Sequence, residues 1–139
     1  MTMTLEQQRA QHALEQIKDL ATRSEEWQAH YTSYVKGFPA SILANGLGQS
    51  LATLLSAVKG HPEGKFQDPH FLLYRHLELW LCRNDEFAPY PGTKDVIEAI
   101  TSHDSTRYRM AQAEAMAYLV WLKKFAAAYL KDDEGGSRE

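Results

Sequence analysis

The feature that most constrains the fold of this chain is a run of 22 residues without a charged side chain, residues 37–58. The run reads GFPASILANGLGQSLATLLSAV and lies between Lys36 and Lys59. A helix that spans a bilayer needs about 20 mostly apolar residues, so the length alone fits a membrane anchor. Ten of the residues are Gly, Pro, Ser, Thr, Asn or Gln, however, and polar side chains are costly in hydrocarbon. The run is therefore predicted to belong to a globular domain, with no membrane contact.

As a single helix over residues 40–58, this run has three different sides. An apolar stripe contains Leu43, Leu47, Leu51, Leu54 and Val58, and a ridge of small residues contains Ala40, Ala44, Gly48, Ala52 and Ser56. The remaining side is polar and uncharged, with Asn45, Gln49 and Ser56. The ridge predicts close packing against another helix of the fold. The polar side favours a protein interface or a contact with sugar and phosphate, and these alternatives stay open.

The other segments predict helices as well. No segment alternates apolar and polar residues with β-branched enrichment, so no strand is predicted. Predicted helix starts are Thr4 with Gln7 as a capping box, a bend or restart near Ser24, Pro39 in a first turn, Asp68 before Pro69, Thr93, and Asp104 or Ser105. Residues 59–67 and 84–92 are predicted loops, and the helix after Asp68 is predicted to be buried nearly all round. The fold class is all-α, a single-domain bundle of five or six helices.

Composition sets limits on location and partners. The net charge is −3, and the acidic segment 131–139 contributes −2 of it, so residues 1–130 form a nearly neutral domain. We expect that segment to be a disordered tail, and any basic surface to be local. Cys82 is the only cysteine, so no intrachain disulfide forms and a cytoplasmic location is expected. The first residues lack the apolar core of a signal peptide.

The last helix, residues 106–130, has a predicted core stripe and a basic strip. The stripe contains Tyr108, Ala111, Ala115, Leu119, Leu122, Ala126 and Tyr129. The basic strip contains Arg109, Lys123 and Lys124, and Arg107 lies in the first turn, where the helix dipole disfavours a cation. Two interpretations of these cations stay open. They contact a partner or an anion, or they form ion pairs with Glu114 or the acidic tail.

Patterns of catalytic and cofactor chemistry are absent from the sequence. The six histidines, at positions 12, 30, 61, 70, 76 and 103, form no His-x3-His pair, and Cys82 has no companion for a zinc site. No phosphate-binding loop or nucleotide fingerprint occurs. His70 and His76 are interpreted as structural. The chain is therefore expected to be a non-enzyme without metal or cofactor.

Two segments resemble a known family, the small all-helical subunit of the type III-B CRISPR effector, the Cmr complex. In residues 38–55 the resemblance lies in Pro39, Ile42 and Asn45-Gly46-Leu47. In residues 108–130 it lies in Tyr108-Arg109, Glu114, Trp121-Leu122-Lys123 and Phe125-Ala126. The chain departs from the pattern at Ser41, where methionine is common, and at Thr53, where phenylalanine is common.

This resemblance implies a non-catalytic subunit in RNA-guided antiviral defence. Copies of it would stack head to tail beside the backbone subunits that hold the guide RNA, and would line the channel where target RNA pairs with the guide. RNA cleavage would belong to the neighbouring backbone subunit. The candidate RNA contacts, to phosphates rather than bases, are Lys36, Arg107, Arg109, Lys123 and Lys124. The candidate subunit or RNA interface contains Asn45, Gly48, Gln49, Ala52 and Ser56.

Two alternatives belong to other functional classes. The first alternative is a helical adaptor that binds only protein partners. The second, ranked last, is a small metal-dependent enzyme that uses its histidines.

Overall fold

The computed structural model describes residues 2–58 and 62–132, and it shows an all-α domain. Six α-helices lie in these ranges: α1 (Leu5–Asp19), α2 (Glu25–Asn45), α3 (Leu47–Ser56), α4 (Pro69–Leu81), α5 (Val96–Ser102) and α6 (Ser105–Tyr129). Two short 3-10 helices, Leu20–Thr22 and Pro62–Gln67, complete the secondary structure, and the described residues contain no strand. The predicted fold class is confirmed. The prediction that residues 59–67 are a plain loop is wrong at Pro62–Gln67, and the residues before Pro62 lie outside the described part.

Local capping signals placed most helix starts correctly. Four predicted caps are confirmed, each with a side-chain oxygen that accepts a hydrogen bond from a first-turn backbone N–H: Thr4, Ser24, Asp68 and Asp104. The prediction for α5 is wrong by two residues, because Asp95 and not Thr93 is the cap. The Asp95 carboxylate accepts the Glu98 N–H at 3.1 Å, and aspartate is a stronger cap than threonine.

The charge-free run is not one helix, which corrects the prediction for residues 40–58. Its first part continues α2, so Pro39 lies inside that helix and not in a first turn. Gly46 then separates α2 from α3 with φ +86° and ψ 160°, a conformation that is essentially restricted to glycine. The apolar stripe therefore breaks, since Leu43 is 75 % exposed while Leu47 is buried. The small-residue ridge is divided at the same point.

The helix α4 is largely buried, as predicted. Nine of its thirteen residues are buried, and it packs against the other long helices, α1, α2 and α6, as well as α3. The predicted stripe of α6 is buried at five positions, Ala111, Ala115, Leu119, Leu122 and Ala126. The prediction is wrong at Tyr129, which is 54 % exposed because the helix ends there and the next residue, Leu130, turns into the core. Tyr118, which the prediction omitted, is fully buried.

No helix in the described residues is both long enough and apolar enough for a membrane span.

Candidate functional site

The exposed side of α6 carries the basic strip that the sequence predicted. Arg109, Lys123 and Lys124 are all exposed, and no ion pair joins any of them to a carboxylate in the described residues. At a rise of about 1.5 Å per residue, the positions of Arg109 and Lys123 lie roughly 21 Å apart along the helix. A shallow cavity of about 290 Å³ beside the two lysines is lined further by Pro39, Met116, Leu119 and Val120. The strip thus combines accessible cations with apolar surface.

Glu114, the only acidic residue of α6, does not neutralise this strip. Its carboxylate accepts two hydrogen bonds from Arg9, Nε to Oε2 at 2.6 Å and Nη2 to Oε1 at 2.9 Å. Trp80 Nε1 donates to Oε2 at 2.8 Å. Burial opposes ionisation, but these donors hold the pKa of Glu114 below its ordinary value. The interpretation that Glu114 pairs with the strip is therefore wrong.

Two other predicted RNA contacts are engaged inside the molecule. Arg107 Nη1 donates a hydrogen bond to the Pro89 carbonyl at 2.8 Å, which holds the loop before α5 against α6. Lys36 Nζ lies 2.6 Å from Asp132 Oδ2 and is mostly buried. These geometries assign Arg107 and Lys36 structural contacts, and Arg109, Lys123 and Lys124 remain the more accessible group.

The start of the predicted tail is tied to α2. The Lys131 N–H donates to Gln28 Oε1 at 2.9 Å, and the Lys131 carbonyl accepts from Thr32 Oγ1 at 3.1 Å. Residues 133–139, most of the predicted disordered tail, lie outside the described residues.

The predicted interface on α2 and α3 is exposed at four of its five positions: Asn45, Gln49, Ala52 and Ser56. Gly48 is different, because it is half-buried and its N–H donates to Tyr108 Oη at 2.9 Å. Ala40, Leu43, Ala44 and Thr53 are exposed in the same run. The prediction that the small-residue ridge packs against another helix of the fold is therefore wrong at Ala40, Ala44, Ala52 and Ser56. We call these exposed residues of α2 and α3 the uncharged surface. No charged side chain lies in either part of this run.

The break between α2 and α3 is stabilised by Tyr108 and Gln112, two residues for which the sequence did not predict this role. In addition to the Gly48–Tyr108 hydrogen bond described above, Gln112 Oε1 accepts the Leu47 N–H at 3.0 Å. These two α6 side chains therefore cap α3, whose own cap position is a glycine without a side-chain acceptor. The spacing of Tyr108 and Gln112, one helical turn apart, is the only sequence signal of this arrangement.

The described histidines take part in internal contacts. His12 Nδ1 lies 2.6 Å from Tyr118 Oη, and His76 Nδ1 lies 2.7 Å from Tyr31 Oη. Burial lowers the pKa of His12 to about 4 and that of His76 to about 3, so both imidazoles are neutral at pH 7. His70 Nδ1 lies 2.9 Å from Asp68, the cap of its own helix.

A thiol and the metal-ligating side chains are the remaining reactive groups. Burial raises the pKa of Cys82 to about 12, so the thiolate needed for nucleophilic chemistry is not formed at neutral pH. Within residues 2–58 and 62–132, no three His, Cys, Asp or Glu side chains come together as metal ligands. His61 lies outside these ranges.

These observations define a class, a small all-helical domain that presents an uncharged surface and a basic strip. A family model described as CRISPR-associated protein (Cas_Cmr5) matches residues 5–129. The chain therefore belongs to the Cmr5 family, whose members are small subunits of the type III-B Cmr complex.

A solved structure agrees with this fold. The crystal structure of a CRISPR-associated Cmr5 family protein from Thermus thermophilus matches with a TM-score of 0.65 and 24 % sequence identity. The match covers 92 % of this chain and 98 % of that one. Family membership implies association with other subunits of the Cmr complex.

Proposed function

We propose that this chain is a non-catalytic subunit that stacks head to tail in the Cmr complex and contacts guide or target RNA through the basic strip of α6. The observation that carries the proposal is the imbalance of charge on this helix. Arg109, Lys123 and Lys124 are exposed, and the single carboxylate of α6 is occupied by Arg9 and Trp80. Cations that no described carboxylate pairs with are available for phosphate contacts, which give affinity without reading sequence.

Repetition would compensate for the small number of cations in each copy. A nearly neutral domain that touches only a few phosphates binds weakly alone, but stacked copies along one RNA act together. The uncharged surface of α2 and α3 supports the stacking part of this proposal. Its exposed Leu43, amides and small side chains can be buried against another subunit without removing a charge from water.

The same surface supports an alternative, a helical adaptor that binds only protein partners. The two functions differ in one property, since the adaptor has no affinity for RNA beyond that of an average protein surface. Both predict co-purification with other Cmr subunits. RNA binding by defined residues is therefore the measurement that separates them.

The test is binding of labelled single-stranded RNA by the full chain and by Lys123→Glu/Lys124→Glu, at low and at increasing salt. We expect weaker binding by the variant. We also expect the slope of log K against log salt to be reduced by about 0.7 for each phosphate that the variant no longer contacts. The matched control is Lys18→Glu/Lys131→Glu, which changes the charge equally at two exposed lysines outside the strip.

Equal RNA binding by the folded strip variant and the wild type, both alone and within the assembled complex, would reject the α6 site. Absence of RNA binding by the wild type in both settings, with retained co-purification of Cmr subunits, would favour the adaptor.

A further inference from the structure

A second group of cations lies in a groove that involves none of the residues discussed as RNA contacts. The groove is a cavity of about 410 Å³ between α3, the 3-10 helix Pro62–Gln67, α4 and the start of α5. Its principal lining residues are Lys65, Phe66, Phe71, Arg75, Glu78 and Lys94. We call this cavity the Phe66 groove. An adjoining cavity of about 330 Å³ shares Arg75, Glu78 and Lys94 with it and extends to Arg83.

The acidic groups in the Phe66 groove are already occupied by internal donors. Glu78 Oε1 accepts from Arg75 Nη1 at 2.8 Å, and Oε2 accepts from the buried Val96 N–H at 3.0 Å. Asp95 uses its carboxylate to cap α5. By contrast, no ion pair joins Lys65 or Lys94 to a carboxylate among the described residues. The groove therefore has a local excess of positive charge in a protein whose net charge is −3.

Arg83 adds unsatisfied donors next to this excess. Its guanidinium lies over the Trp80 ring at 3.7 Å, and Nη1 donates to the Trp80 carbonyl at 2.8 Å. Nε and Nη2 are buried and make no hydrogen bond in the described part of the chain, although Nε lies 3.6 Å from Asp85 Oδ2 in an ion pair. An anion in the adjoining cavity would supply an acceptor to this partly satisfied guanidinium.

An exposed aromatic ring lies beside the cations. Phe66 is 48 % exposed, although a phenylalanine is ordinarily buried. It contacts the buried Phe71 edge to face at a centroid distance of 5.0 Å, which fixes the position of its ring. Lys65 Nζ lies 5.8 Å from the Phe66 centroid and 4.9 Å from the Phe71 centroid. A supported aromatic ring next to lysines that no described carboxylate pairs with matches the sites that bind single-stranded nucleic acids, where bases stack on rings and cations hold the phosphates.

We propose that the Phe66 groove binds a nucleoside phosphate of single-stranded RNA, with the base stacked on Phe66 and the phosphate held by Lys65 and Lys94. An acidic protein segment would use the lysines, but Asp and Glu side chains have no aromatic ring to stack on Phe66, so the ring favours the nucleotide. The inference adds a second contact to the one proposed on α6. It rests on the proposed function only in assigning the nucleoside phosphate to an RNA strand.

The test compares two groove variants of the full chain, using fluorescence anisotropy of labelled single-stranded RNA. Phe66→Ala is expected to weaken binding about 5- to 100-fold because one base no longer stacks, without changing the salt slope, since no charge is removed. Phe66→Tyr keeps the ring and is expected to bind like the wild type. Lys65→Glu/Lys94→Glu is expected to weaken binding and to reduce the salt slope by about 0.7 for each phosphate released. Circular dichroism of each variant shows that it is folded.

Parallel measurements separate this inference from the proposed function. If only Lys123→Glu/Lys124→Glu loses RNA affinity, the Phe66 groove is rejected and the α6 site stands. If only the groove variants lose affinity, the groove stands and the α6 site is rejected. Lys18→Glu/Lys131→Glu again provides the charge-matched control.

Two further probes identify the chemistry of the ligand. Adenosine monophosphate as a competitor distinguishes a free nucleotide from an RNA strand. If Phe66→Ala reduces the binding of adenosine monophosphate but not of RNA, the nucleoside-phosphate site is supported and its assignment to RNA is overturned. Labelled oligoglutamate represents an acidic protein segment. If the groove variants reduce only oligoglutamate binding, the proposal is overturned.

Discussion

At the scale of single residues, Gly46 determines how the charge-free run folds. Its φ of +86° ends α2 and starts α3, and a Cβ at this position would lie 3.1 Å from Tyr108 Oη. Tyr108 cannot move away freely, because its hydroxyl accepts the Gly48 N–H. Both the backbone conformation and the neighbouring side chain therefore require glycine.

We predict that Gly46→Ala lowers the free energy of unfolding by about 1–3 kcal/mol, the cost of a non-glycine residue in this backbone region. Urea unfolding followed by far-ultraviolet circular dichroism measures the change. Gly37→Ala is the matched control, since Gly37 lies inside α2 and its added Cβ would meet no atom within 4 Å. This control should gain roughly 0.5–1 kcal/mol from helix propensity. Equal stability of Gly46→Ala and the wild type would contradict the requirement for glycine.

The break at Gly46 shows which information the local sequence lacked. Leucines and small residues on both sides fit one helical period, so the pattern favours a continuous helix. What stabilises the break at Gly46 is the pair Tyr108 and Gln112, which supplies acceptors for the first N–H groups of α3 across separations of 60 and 65 positions. Residue types can be read from a sequence, but their contact across such a separation cannot.

At the scale of helices, the first residue of most helices was predictable because a capping side chain and the N–H group that it binds are close in sequence. Thr4 and Gln7, for example, form two reciprocal hydrogen bonds within one turn, because each side chain accepts from the backbone N–H of the other residue. Pro39 shows the opposite case. A proline signals a first turn when only its neighbours are considered. Here α2 passes through it, because the residues before and after Pro39 are both anchored in the core by Val35, Phe38 and Ile42.

We predict that Pro39→Ala raises the free energy of unfolding by about 1–3 kcal/mol. Alanine supplies the backbone N–H that proline lacks and removes the clash of its ring with the preceding turn. Thermal or urea unfolding tests this expectation. Pro69→Ala is the control, because Pro69 occupies the first turn of α4, where no helical N–H is lost.

The control should change in the opposite direction, with a loss of about 0.4–1 kcal/mol, because proline restricts the unfolded chain. A destabilised Pro39→Ala variant would show that packing of the proline ring outweighs the missing hydrogen bond.

The candidate surfaces also differ in how far they could be predicted from neighbouring residues. The basic strip was predictable because Arg109, Lys123 and Lys124 lie on one helix, where spacing gives the exposed side. The ion pair between Lys36 and Asp132 was not predictable, since these residues are 96 positions apart. The Phe66 groove has no local pattern either, because its lining comes from several separate elements.

At the scale of the whole molecule, buried polar contacts join the helices. His12 on α1 bonds to Tyr118 on α6, and the Trp80 ring of α4 stacks on Tyr118 at 5.3 Å. His76 on α4 bonds to Tyr31 on α2. Neutral imidazoles are required at both places, since burial penalises the charged form.

We predict that stability falls as the pH falls below about 6.5, the ordinary pKa of histidine. The folded-state pKa values are about 4 for His12 and about 3 for His76, so at intermediate pH the unfolded chain binds protons that the folded chain does not. The free energy of unfolding should therefore decrease by up to roughly 2.7 kcal/mol per pH unit from these two groups between about pH 6 and pH 4. Urea unfolding at a series of pH values measures this slope.

His12→Gln isolates one of the two contributions and should reduce the slope by about 1.4 kcal/mol per pH unit. Tyr118→Phe is the control, because it removes the hydrogen-bond partner but leaves the buried imidazole. It should lower stability at every pH with little change in slope. A slope unaffected by His12→Gln would mean that the pKa of this histidine is not lowered in the folded protein.

The pairing of the first and last helices also has a kinetic consequence. Arg9 and Glu114 are 105 residues apart, and Glu6 accepts a hydrogen bond from Trp121, 115 residues away. Contacts between such distant positions require closure of a long loop, which slows folding. During synthesis, α1 leaves the ribosome first but meets its packing partner only when α6 has been made. The helix that is translated first is therefore the last to reach its native packing. Until then its apolar side is exposed to aggregation unless something other than α6 covers it.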